Sequence, residues 1–120
     1  NTGKVRGTEA LHTMASAYYN LENYSKTEEI HNDLMKRKPA YDFWIAKSLI
    51  LQTQVFIARD ELFQAEKTIN TVIKNYPNKE DGIIEEAEAV KAELMQLKNM
   101  EKSIEDDSDR TIDLNEGDNE

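Results

Sequence analysis

Apolar residues recur every three to four positions along most of this chain, and the stripes they form predict five helices. The first covers about 5–20, with Leu11, Met14, Ala15, Tyr18 and Tyr19 on its apolar side. The second covers about 25–38, with Ile30, Leu34 and Met35 turned inward, and stops at Pro39. Proline has no N–H for the helical ladder, and its ring keeps the preceding residue out of helical space. The third, about 42–59, is "DFWIAKSLILQTQVFIAR". A helix apolar on several faces is buried on several faces, so this is the expected centre of the fold. The fourth covers about 61–76 and ends before Pro77. The fifth is expected over about 79–104, with Asn78 as N-cap and Glu80 and Asp81 in its first turn, where carboxylates suit the helix dipole. Its stripe is Ile83, Ala87, Val90, Leu94 and Leu97; Glu101 breaks it and Ile104 resumes it.

The helices pair into a repeat. Placing Pro39 over Pro77, an offset of 38, sets Leu11 on Leu49, Ala15 on Thr53, Tyr18 on Phe56, Tyr24 on Leu62, Thr27 on Ala65 and Leu34 on Val72. Large residues meet large and small meet small, without a gap. The pattern resembles the tetratricopeptide repeat (TPR) family, whose unit is a pair of antiparallel helices in about 34 residues. The signature positions are Ala15, Tyr18, Thr27 and Pro39 in the first unit and Thr53, Phe56, Ala65 and Pro77 in the second. The resemblance departs in three places. Some four extra residues lie near "AYDFW", the glycine beside the small residue of the first helix is missing, and no aromatic or proline marks a third unit.

The resemblance implies an all-α, right-handed solenoid of antiparallel helix hairpins, with units at about 8–39 and 46–77 and a capping helix at about 79–104. The small residue at 27 and 65 is then a point of close approach between the two helices of a unit. The aromatics Tyr41, Phe43 and Trp44 are expected to fill the gap between units. The aromatic-rich join is also similar in style to repeat-rich TPR proteins of bacterial cell envelopes.

Charge and composition narrow the function. The net charge is −9, and the sixteen residues Glu105–Glu120 hold eight carboxylates against one arginine, leaving −2 for the preceding 104. A nearly neutral body followed by a flexible acidic tail is the expectation for 105–120. No basic face suits a nucleic acid partner. Without cysteine there is no disulfide or thiolate metal site, and no apolar run approaches the roughly 18 residues of a membrane span. The opening "NTGKVRGTEAL" enters a helix almost at once without a methionine, as expected of a C-terminal segment cut from a larger repeat protein.

Catalytic chemistry finds no foothold in the sequence. His12 and His31 lack the spacing of a metal pair, and no glycine-rich loop or serine elbow is present. The carboxylate pairs Glu28/Glu29 and Glu85/Glu86 sit in helical, charged surroundings and read as solvated faces. A non-enzymatic protein without a cofactor is the expectation, and the partner class is a protein or peptide. In the TPR family the first helices of successive units line a concave groove. The matching face here takes Glu9, His12, Ser16, Tyr19 and Asn20 from the first helix and Lys47, Ile50, Gln54 and Ile57 from the third. The lysine–asparagine carboxylate clamp of chaperone-binding relatives is absent, so apolar side-chain recognition is implied. The expected function is a protein–protein interaction scaffold; the alternative is a terminal cap or self-association module of a longer solenoid. Two units and a cap are fewer than the roughly three repeats a solenoid needs, so the end of the first hairpin should seek preceding repeats or a second copy. A third possibility sends Ile112 and Leu114 of the tail into the groove.

Overall fold

The computed structural model describes the backbone of residues 2–36 and 42–118 and the side chains of 7–36 and 43–106. Five helices account for it: α1 (Thr2–Asn20), α2 (Tyr24–Met35), α3 (Asp42–Ala58), α4 (Leu62–Asn75) and α5 (Ile83–Asp118), with no strand among the described residues. Pro39 and Tyr41 fall outside them, as do the side chains of Ile112 and Leu114.

The two hairpins turn in the same way, sharing three equivalent backbone bonds. In the first, Leu21, Glu22 and Asn23 donate their backbone N–H groups to the carbonyls of Ala17, Tyr19 and Tyr18. In the second, Arg59, Asp60 and Glu61 donate to Val55, Ile57 and Phe56, each 38 positions on. The central residue of each turn, Glu22 and then Asp60, takes φ of 60°. Neither is a glycine, so each turn holds a side chain in left-handed space at a cost of about 1 kcal/mol. The next bond repeats too: Thr27 N–H donates to Asn23, and Ala65 N–H to Glu61.

α3 is the centre, as its all-round apolarity predicts, because it packs on every other helix. α2 rests on α1 and α3, and α4 on α3 and α5. The helices α1, α3 and α5 therefore lie side by side, with α2 and α4 seated over the seams between them. Two cores result. One joins Ala46 and Ile50 of α3 to Ala65, Ile69 and Val72 of α4 and to Ile83, Ala87, Val90 and Leu94 of α5. The other joins Ala15, Ile30 and Leu51, with Leu11, Tyr18 and Tyr19 packed against them.

Several expectations are corrected. α2 stops at Met35 rather than at 38, its Lys36 N–H turning back to the Asp33 carbonyl. α4 stops at Asn75, and Tyr76 takes φ −71° and ψ 122°, the extended conformation imposed on a residue before proline. Asn78 does not cap α5. Its Oδ1 accepts from Glu80 N–H at 2.8 Å, while Asp81 Oδ1 accepts from Ile83 N–H at 3.2 Å. Gly82, at φ +89°, provides the first carbonyl of the helix, to Glu86 N–H. The positive φ explains the glycine. Met14 and Met35, expected to face inward, are exposed. Finally, α5 does not end at 104: its backbone stays helical to Asp118. No proline interrupts the ladder after Pro77, and the single late glycine is Gly117.

Candidate functional site

On the face shared by α1, α3 and α5, the helix α3 lies between the other two. α3 touches both flanking helices, whereas the backbones of α1 and α5 do not approach one another among the described residues. α1 presents His12, Ser16 and Tyr19 as half-buried side chains. His12 Nε2 and Ser16 Oγ lie 3.4 Å apart, one turn from each other. The His12 ring leans on Trp44 of α3, with centroids 5.5 Å apart, and Trp44 meets Phe43 edge to face at 4.9 Å. Tyr19 pairs with Tyr24 of α2 at 5.7 Å.

On the far side of α3 is α5. Lys47 Nζ of α3 bridges to Glu86 at 3.2 Å. Burial and the Lys47 charge lower the His12 pKa, and Glu86 opposes them. Burial raises the Tyr19 pKa, helped by Tyr24 and by Glu93 of α5. Both α1 side chains thus feel the charge of carboxylates on α5. His12 Nδ1 is buried and has no hydrogen-bond partner among protein atoms.

The residues expected in the groove separate into three groups. His12, Ser16, Tyr19, Lys47 and Gln54 are half-buried. Glu9 and Asn20 are exposed at its α1 edge. Ile50 is a correction: it is buried in the α3–α4–α5 core. Ile57 packs against the same core. On a helix apolar on most sides, periodicity does not tell which apolar residue meets a neighbour and which meets a ligand. Trp44, Glu86 and Glu93 lie near these side chains without a signal in the sequence, Trp44 because it reads as inter-unit packing and the two glutamates because α5 reads as a cap.

A second polar cluster lies under α2. His31 Nδ1 and Ser48 Oγ share a 2.5 Å hydrogen bond, both residues buried. Glu28 Oε1 accepts from Gln52 Nε2 at 3.2 Å and from Arg59 Nη1 at 2.6 Å, and Arg59 Nη2 donates to Ser25 at 3.3 Å. These bonds fix α2 against α3. Burial lowers the His31 pKa against the pull of Glu28. Two histidines held neutral make stability depend on pH, with a definite sign. Below the ordinary value of 6.5 the unfolded chain takes up protons at both sites while the folded chain resists. Their contribution is complete above pH 6.5 and is lost progressively as pH falls below it, until the lowered folded values are passed. Urea midpoints between about pH 8 and pH 5 should fall toward acid, and His31→Gln should flatten that slope. An unchanged slope in the variant would remove His31 from the account.

Among the described residues no three His, Asp or Glu side chains converge as a metal site, and no helix is long and apolar enough to cross a membrane. No protein-family model, curated protein or solved structure matches the chain.

Proposed function

We propose that this chain is a TPR-like interaction module without catalytic activity, which takes a peptide along a channel between α1 and α5. The observation that supports it most is the hairpin turn repeated at 38 positions, with equal backbone bonds and equal φ at Glu22 and Asp60. A sequence that repeats its hairpins in register builds successive first helices into one continuous face. The fifth helix is then the first helix of a third unit, adding Glu86 and Glu93 to the wall.

The lining suggests the peptide's chemistry. Trp44, His12 and Tyr19 offer flat, half-buried rings suited to an apolar or aromatic anchor. The carboxylates Glu9, Glu86 and Glu93 outnumber the single cation Lys47, which Glu86 already pairs. An apolar peptide flanked by lysine or arginine is the matching ligand.

Trp44 is the sole tryptophan, so its emission reports on the channel. Titration with a library of short basic–apolar peptides, and an acidic library as control, should shift that emission for the basic set. Tyr19→Ala and Glu93→Lys should each weaken the best binder at least tenfold, with helical circular dichroism unchanged. Equal binding of both libraries, or binding indifferent to both variants, would reject the channel.

A further inference from the structure

The 38-residue register shows what belongs on the outer face of α1. Ala10, Met14, Ala17 and Leu21 occupy the positions that Ser48, Gln52, Val55 and Arg59 hold on α3. On α3 that face is covered. Ser48 bonds His31, Gln52 and Arg59 bond Glu28, and Val55 has no exposure. The bonded partners all lie on α2, which runs antiparallel to α3. On α1 the same face is open: Met14 is 48% and Leu21 75% exposed, and Ala10 and Ala17 beside them are exposed too. Three of its four positions replace a hydrogen-bonding residue with an apolar or small one. It is shaped to receive a helix, by apolar contact.

The last helix runs on well past the residues that pack it on the body. α5 is tied to the body through Lys98, which pairs with Glu66. Beyond this the helix continues to Asp118. Met100 and Ile104, at the base of this overhang, are 59% and 62% exposed.

This overhang cannot serve its own α1. α1, α3 and α5 run in the same direction, and α5 leaves the body at the end where α1 finishes. We propose that the overhang of α5 docks antiparallel on the outer face of α1 in a second copy of the chain, reciprocally, as α2 does on α3 within one copy. Antiparallel docking sets Met100 near Leu21 and Ile104 near Ala17. It carries the acidic stretch that follows, seven carboxylates and one arginine over 105–118, toward the end of α1 whose sequence holds Lys4 and Arg6. Apolar contact and opposite charge agree on one orientation. The channel lies on the other side of α1, so this pairing stands or falls independently of the peptide reading.

The chain has no cysteine, which permits a direct test. Leu21→Cys and Met100→Cys variants, mixed and oxidised with diamide, should give a cross-linked heterodimer in clear excess over either homodimer. Sedimentation across a concentration series should show a reversible dimer for the unmodified chain. Met14→Glu and Ile104→Glu should each raise its dissociation constant at least tenfold, with unaltered helical circular dichroism. A monomer at every concentration would overturn the proposal. So would preferred Leu21→Cys homodimers, which mean α1 pairs with α1, or preferred Met100→Cys homodimers, which mean the overhangs pair with each other. A dimer sensitive to Met14→Glu and indifferent to Ile104→Glu would overturn it as well.

Discussion

Replacing Ala65 with leucine is expected to lower the unfolding free energy by about 2–3 kcal/mol, because the added carbons have no space to enter. Ala65 has no exposure, and Thr53, on the facing helix, has none either. The equivalent crossing in the first hairpin shows how close the helices come. Thr27 Oγ1 donates to the backbone carbonyl of Ala15 on α1 at 3.4 Å. A side chain one atom beyond Cβ already touches the opposite backbone there. Thr27 meets Ala15 in the first crossing, and the 38-residue register sets Ala65 against Thr53 in the second, the same pair in opposite order. Each crossing thus contains one alanine and one threonine. Ala65→Thr alone should therefore destabilise, and adding Thr53→Ala should recover much of the loss. A coupling of about 1 kcal/mol or more in the double-mutant cycle is expected from residues in contact. Additive losses would mean that the two side chains do not share this space. As a control, Ala89→Leu on the exposed side of α5 should change stability by no more than about 0.5 kcal/mol.

Leu94→Ala is expected to cost more, about 3–5 kcal/mol, since it empties a fully buried leucine site and the surrounding helices relax only in part. Leu94 has no exposure and belongs to the larger core, with Ile69 and Val72 of α4. It is also the last deeply buried residue of α5 before the helix leaves the body. Ile83, Ala87, Val90 and Leu94 are the residues that anchor α5, and the Lys98–Glu66 pair beside them is partly exposed. Such a pair contributes about 0–1 kcal/mol, so Lys98→Met should be mild by comparison. The loss in Leu94→Ala should concentrate on α5. Hydrogen exchange should rise first in its amides from about 90 onward, while α1 and α2 keep their protection. A uniform loss of protection across all five helices would mean that α5 cannot undock separately.

Much of the architecture is legible in the chain because it rests on periodicity. The stripe Ile83, Ala87, Val90, Leu94 marks the buried side of α5 with the spacing of one helix face, and the structure buries all four. Small residues at 27 and 65 mark crossings because nothing larger fits between closely packed helices. The all-round apolarity of 42–58 marks the central helix because only a helix with neighbours on several sides hides so much apolar surface. These signals belong to residues whose environment their own side-chain chemistry nearly dictates.

Other features are not written in any single stretch. Met14 and Ala15 are adjacent apolar residues on α1, yet one is exposed and the other buried; the helix presents them on different faces, and only the position of α2 and α3 decides which is covered. Ile50 reads as groove and is core for the same reason. His31 and Ser48, Glu28 and Arg59, and His12 and Trp44 lie far apart in sequence, and their contacts exist only once α3 is clasped by its neighbours. The turns at Glu22 and Asp60 carry no glycine to announce a positive φ, because the paired helices impose it. The sequence by itself determined five helical stripes, the doubled hairpin and the small residues at its crossings, since each is a local matter of period and size. Tertiary structure decided which polar residues meet across helices, which side of α1 is left open and how far α5 outruns the body, since each depends on where a neighbouring helix ends.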